Sequence, residues 1–439
     1  MRTLIALVFT LIVGVCAAIW WLQFESFPPE VELVDEVDKL GRGARFTFAL
    51  RADSPGLHAV EVRLRPEAAG AEPAVLHRQT FDAASWRGSG VLDATVAIEP
   101  DFAALGVAEG KATLEVFVTT YAWHLLPRSG APQLQLPIEV DLTPPRLEML
   151  TSEHPMRVGG AALVVFRQSP DTVSSGVAVG DYFFPAVRGF FADETAALAF
   201  FAVPQNLDAD ARPRLIARDG AGNEREVRIP ARIKPRTFRE RTMALSDAFL
   251  ERKVPELRED NRMPPVDDLL AGYLEINRDL RRRNEEKIRE VTKTSVATAD
   301  WKGAFLRQSR AANVSEFADR RAYEYAGEVV DRQVHLGYDL ASVKQTPIEA
   351  TQNGVVVFAD SLGIYGETVI LDHGLGIFSL YGHLSSIAVA VGEKVERGAT
   401  VGRSGETGLA GGDHLHFSIM IHGVHVDPVE WWDDHWLQD

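Results

Sequence analysis

Histidine is crowded into one end of this chain. Eight of its twelve histidines lie between His335 and His435, in a stretch otherwise rich in glycine and β-branched residues. In His335-Leu336-Gly337-Tyr338-Asp339 an imidazole and a carboxylate stand four apart, and His414-Leu415-His416 precedes Phe417-Ser418-Ile419-Met420-Ile421, which reads as a strand. Alternate residues of a strand project from one face, so His414 and His416 point into the same cleft and can share a task. Zinc accepts neutral imidazole nitrogen and carboxylate oxygen in a tetrahedral shell, and it is catalytic when one position stays open to water. Two histidines and one aspartate supply three ligands. The remaining histidines then have room to act on a bound water whose acidity the metal raises. Gly337 inside the first pair, and Gly405, Gly408, Gly411 and Gly412 before the second, imply turns and close backbone approach around the cleft.

Each spacing alone is commonplace; their order and company are not. The same stretch holds Tyr381-Gly382-His383-Leu384-Ser385, Val391-Gly392-Glu393-Lys394-Val395 and Gly398-Ala399-Thr400-Val401-Gly402. From His335 to Pro428 the set closely resembles the lysostaphin-like, LytM-type zinc peptidases, peptidase family M23, over roughly residues 326–432. The resemblance implies His335, Asp339 and His416 as ligands of Zn2+, with His383 and His414 as the helper histidines that orient and deprotonate the water and stabilise the oxyanion. Asp413 departs from the pattern, since many relatives have proline before His-Leu-His. The implied activity is that of a zinc metalloendopeptidase cleaving cross-links or stem peptides of peptidoglycan, a partner that calls for a groove open at both ends. A second reading is a non-catalytic LytM-type wall-binding module that activates peptidoglycan amidases; the five filled positions favour catalysis. A lipoyl-type carrier is a third, suggested by the hairpin pattern from Val391 to Gly402, but Lys394 is not at a convincing hairpin tip.

The elements that must position these residues read as mainly β. Residues 28–141 alternate, as in Ala44-Arg45-Phe46-Thr47-Phe48-Ala49-Leu50, which is the period of half-buried strands and predicts a β-sandwich. Residues 142–234 predict a second β domain, entered through Thr143-Pro144-Pro145 and containing the turn Asp219-Gly220-Ala221-Gly222-Asn223. Both motifs resemble bacterial immunoglobulin-like modules, read here as spacers, with a protein partner as the alternative. A helical connector is expected over 235–300, with Leu269, Tyr273, Ile276 and Leu280 on one apolar face after Pro264-Pro265. Within it, Arg281-Arg282-Arg283 and Glu285-Glu286-Lys287 read as a solvated, internally paired surface. This connector is also placed, as a hypothesis, across the groove. The peptidase domain, 301–439, is expected as an antiparallel LytM-type β domain of the duplicated-hybrid, lipoyl-like kind. His422, His425 and His435 are expected at the surface or an edge, His373 at a structural turn, and Trp431, Trp432 and Trp436 packed on the sheet.

The chain starts Met1-Arg2-Thr3 and then runs uncharged from Leu4 to Phe24, long enough to cross a bilayer as a helix. A signal anchor over 1–25 is the expectation, with Trp20 and Trp21 at the interface and cleavage near Ala18 as the alternative. This reading puts a single-pass protein in the inner membrane with its bulk periplasmic. Cys16, the only cysteine, lies inside that run, so the exported part has no disulfide. A net charge of −16 speaks against nucleic acid, because phosphate binding needs a basic surface. From residue 335 onward, four Lys/Arg stand against fourteen Asp/Glu.

Overall fold

Alternation in the sequence becomes strand with one buried face. In Phe46–Arg51, Phe46, Phe48 and Leu50 are buried and the residues between them are not. The computed structural model describes the chain except residues 1, 24–26, 54, 69, 86–87, 123–129, 152–154, 209 and 436–439, so Glu25 and Trp436 fall outside it, as does the side chain of Trp21. Two compact units are present, the first comprising 1–145 with 171–173 and 218–225, the second 146–170, 174–217 and 226–439. In the first unit a three-stranded sheet (Glu30–Leu33, Phe46–Arg51, Asp93–Ile98) and a five-stranded sheet centred on Gly110–Thr120 enclose one apolar cluster, including Phe46, Phe48, Val62 and Leu114. The helix α1, Arg2–Gln23, precedes them. Among the described residues no helix is long and apolar enough to cross a membrane, so the expected anchor finds no structural support.

The second unit carries the histidines. Its largest sheet has the order β2 (Ala312–Ser315), β5 (Tyr338–Ala341), β10 (Leu415–Ile421), β8 (Ile377–Leu384), β7 (Glu367–Gly374), β6 (Gly354–Ser361), β9 (Lys394–Val395), with β11 (Val424–Val426) against β10. Every neighbouring pair is antiparallel. The central strands are buried on both faces, and the two-residue period sorts their side chains into two clusters. Ile370, Phe378, Leu380 and Met420 face one cluster; Leu371, Tyr381, Phe417 and Ile419 face the other.

The segment from 235 to 300 makes the first of these clusters. It begins as a strand rather than a helix: β1 (Glu240–Ala244) runs parallel to β3 (Arg320–Tyr325), which pairs with β4 (Glu328–Val334). Ser246 then caps α2 (Asp247–Asp260), its hydroxyl accepting from Phe249 N at 3.2 Å, and Asp268 caps α3 (Leu269–Glu275) in the same way. A π-helical turn, Ile276–Leu280, leads into α4 (Arg281–Val291). Tyr273, Ile276, Leu280 and Ile288 are buried together with the sheet residues Ile370, Phe378 and Met420. Ile276→Ala should therefore cost about 2–5 kcal/mol of stability in denaturant unfolding. A bare stalk would lose almost nothing.

The opposite cluster joins the largest sheet to the strands Ala161–Gln168 and Ala196–Ala202 through Phe166, Phe201 and the fully buried Trp431 of α5 (Pro428–Trp431). Charged ties reinforce it. Glu430 accepts from Arg157 Nε at 2.6 Å and from Ala161 N at 2.8 Å, and Arg236 reaches Asp427 at 2.6 Å.

His373 is structural, as expected. Its Nδ1 donates to Asn353 O at 2.7 Å, and burial holds the imidazole down at about 4. Between about pH 6.5 and 4 the unfolded chain takes up a proton that the folded chain refuses, so this group makes stability fall as pH is lowered across that window. A shift of that size corresponds to about 3 kcal/mol. His373→Gln should flatten the slope by close to one proton in urea unfolding measured from pH 7 to 4.

Candidate metal centre

Register, not proximity in sequence, assembles the centre. Asp339 on β5 lies directly opposite His416 on β10, and Gly382 on β8 flanks His416 from the other side. Side chains directly opposite on one sheet face are near neighbours. His335 follows the last residue of β4, which brings it over the same face. Its Nε2 is 2.9 Å from Asp339 Oδ1 and 3.0 Å from His416 Nδ1, and that Nδ1 is 3.0 Å from the same Oδ1. All three residues are buried.

The protons on these rings are fixed from behind. His335 Nδ1 lies 3.0 Å from Glu316 O, which only accepts, so this nitrogen carries the hydrogen and Nε2 offers a lone pair. Ser418 Oγ donates to Leu336 O and can therefore only accept from His416 Nε2 at 3.3 Å, which leaves His416 Nδ1 as a lone pair as well. Two nitrogen lone pairs and a carboxylate oxygen thus converge within about 3 Å of one another, an arrangement that repels itself unless a cation sits among them. Zinc held at about 2.0–2.1 Å by tetrahedral donors would space them about 3.3 Å apart, so the donor set fits it in number, type and spacing.

Two more histidines face this triangle. His414 Nδ1 donates to Gly412 O at 2.7 Å and His383 Nδ1 to Thr407 O at 2.8 Å, so each presents Nε2 to the cavity. His414 Nε2 lies 3.5 Å from Asp339 Oδ1, and the two helper rings are 4.8 Å apart. His383 has a φ of 60° at a bulge in β8, where Gly382 and His383 together oppose Thr368. Such a conformation costs on the order of 1–3 kcal/mol in a residue with a Cβ, and here it turns the imidazole toward the other three.

Electrostatics agree with these roles. Burial, then the neighbouring His414 and His416, push His383 well below the usual imidazole range. Burial pushes His416 down to about 4. Burial also works against His414, but Asp339 outweighs it and the net shift is upward. The remaining oxygen of Asp339 accepts from Arg321 Nη2 at 2.9 Å.

The cavity in front of these groups has a volume of about 480 Å³, and the upstream segment builds one wall with Met243, Leu245, Phe249 and Tyr273. Opposite stands Tyr365, whose ring is 5.2 Å from His416 and whose hydroxyl donates to Glu285 at 2.6 Å.

A sequence profile described as Peptidase family M23 matches residues 333–428. This segment belongs to peptidase family M23. Over 97 residues the chain is 39% identical to the DD-carboxypeptidase/endopeptidase Mpg of Neisseria meningitidis, covering 22% of each chain. Over 116 residues it is 35% identical to the peptidoglycan DD-endopeptidase ShyA of Vibrio cholerae, covering 26% of each. Over 95 residues it is 36% identical to the murein hydrolase activator EnvC of Escherichia coli, covering 22% of this chain and 23% of that one. The chain therefore spans about a quarter of the length of the curated relatives it matches.

The M23 segment corrects some finer expectations. Gly337 is crowded as expected, since a Cβ there would lie 2.6 Å from Phe417 O and 2.7 Å from His416 Cε1, but Gly411 and Gly412 face open space. His425, expected at the surface or an edge, lies on the short strand β11 but is buried, 3.3 Å from Glu285, whereas His435 is exposed. Glu285 is therefore not part of a solvated surface, although its neighbours Arg282 and Glu286 do pair along the helix at 2.7 Å. Arg321, Tyr365 and Glu285 were missed as parts of the M23 site. Arg321 sits in an ordinary alternating strand fourteen residues before His335, with no local signal.

Proposed function

We propose that the M23 segment is a zinc metalloendopeptidase that hydrolyses peptide cross-links or stem peptides of peptidoglycan. His335 Nε2, Asp339 Oδ1 and His416 Nδ1 would hold the ion. When bound, zinc supplies a Lewis acid and makes water acidic enough to lose a proton near neutral pH. His414 Nε2 is the base: its other nitrogen is anchored on Gly412, so the lone pair points into the cavity and can take that proton. His383 Nε2, anchored through Thr407 O, is placed to donate a hydrogen bond to the carbonyl oxygen under attack once the pair of helper rings holds a proton. Tyr365 and Tyr273 wall the cavity.

The observation that carries this reading is the self-repelling triangle of two nitrogen lone pairs and one carboxylate oxygen. The relative named as a murein hydrolase activator supports a second reading, a non-catalytic module that switches on wall amidases. The filled donor set weighs against it here. A wall substrate also supports an extracytoplasmic location. The test is digestion of purified peptidoglycan with the zinc-loaded chain and with the same protein after chelation, followed by mass analysis of soluble fragments. New peptide termini only in the zinc-loaded digest support the peptidase; absence of any release sinks it.

A further inference from the structure

An acidic chain has no compositional reason to gather arginine, yet this one gathers eight around a single cleft. The cleft has a volume of about 750 Å³ and lies where α4 and the π turn before it meet β1 and the hairpin of β3 and β4; only Glu240 and Glu285 among its lining residues are acidic. Four of these arginines, Arg241, Arg278, Arg282 and Arg321, have a carboxylate within 4 Å. The other four, Arg281, Arg289, Arg320 and Arg332, form no ion pair among the described residues. Arg281 is instead held by neutral groups: its Nε donates to Asn277 O at 3.1 Å and its Nη2 to Asn277 Oδ1 at 2.7 Å, while Asn277 is itself fixed on Asp331 at 2.8 Å. This orients the guanidinium without spending its charge. Guanidinium groups gathered this closely repel one another, and a bound anion relieves that cost because each fork matches a carboxylate with two parallel hydrogen bonds.

Position decides which anion. Arg241, Arg281 and Arg321 line both this cleft and the histidine cavity, so the two spaces adjoin across these side chains. A peptide lying across these three side chains touches both spaces. We propose that the cleft is an anion subsite for an acidic peptide, binding its free carboxylates while the bond to be cut lies against His414 and His383. The inference rests on the peptidase reading for the location of the scissile bond, and not for the binding itself.

The experiment uses the full zinc-loaded chain and two forms of one cross-linked wall peptide, with its carboxylates free or amidated. Wild-type protein should show a kcat/KM at least tenfold higher for the free acid. In Arg289→Gln/Arg332→Gln, both exposed positions, that preference should fall toward one, and the Lys substitutions, which keep charge but lose the fork, should fall between. Anisotropy with the labelled acid peptide gives a second readout independent of turnover, with inorganic phosphate as competitor. Arginine-dependent binding without hydrolysis keeps the subsite and removes the peptidase. Hydrolysis with equal preference for both peptides removes the subsite. Phosphate binding at these arginines with no preference between the peptides assigns the cleft to another anion and overturns the proposal.

Discussion

Purified protein should take up one zinc ion per chain, and His416→Ala should take up none and release no peptide from peptidoglycan. That outcome follows from the way His416 is held. Its Nδ1 closes two of the three sides of the donor triangle, 3.0 Å from both His335 Nε2 and Asp339 Oδ1, and its far nitrogen is locked by Ser418. Disturbing only the groups behind a metal ligand costs 10–100-fold in affinity, so deleting the ligand itself should cost on the order of 10³-fold or more. His335→Ala should behave alike. The variant stays folded, because the apolar clusters on either side of the sheet are untouched, and circular dichroism will show it. Stoichiometric zinc in His416→Ala by elemental analysis would remove this residue from the ligand set.

The second large effect separates chemistry from binding of the ion. His414→Ala should keep its zinc and lose about 10²–10⁴-fold in kcat, the usual contribution of a positioned general base. Its Nε2 stands 3.5 Å from Asp339 Oδ1, outside the triangle, and its upward shift comes from that same carboxylate. His383→Ala belongs to the same class and should leave the masses of the released fragments unchanged while slowing their appearance. Loss of zinc from His414→Ala would show the roles of His414 and His416 exchanged. Full activity in both helper variants would remove the roles proposed for His414 and His383, whereas a zinc-loaded wild-type chain that releases nothing would point to the activator reading.

Much of this centre is legible in the sequence because His414 and His416 stand two apart at the start of one strand, and a carboxylate stands four residues after a third histidine. What the sequence does not state is register. Nothing in Tyr338-Asp339-Leu340 says that Asp339 will face His416 rather than a residue one step away, and a one-step slip would turn the carboxylate to the other face of the sheet. The bulge that aims His383 is equally silent, since bulges come from pairing and not from composition. Helical spacing in Leu269, Tyr273, Ile276 and Leu280 was legible, and the structure buries Tyr273, Ile276 and Leu280. The strand before it, Glu240–Ala244, was not, because its partner Arg320–Tyr325 lies some eighty residues on. The charged run after Leu280 misled in one respect: Glu285 turns inward to His425 and Tyr365, and only the fold reveals that helix face.

The apolar cluster shared by Phe166, Phe201 and Trp431 sets a rule for anyone building chimeras. A cassette cut at residue 296, or at any point after Lys234, would carry His335, Asp339 and His416 but leave Trp431 and the back of its sheet without the cover of Phe166 and Phe201, and Glu430 without Arg157. The smallest portable piece therefore starts near residue 146, and swaps of cutting specificity between such proteins should exchange that larger block or single side chains, and nothing of intermediate size.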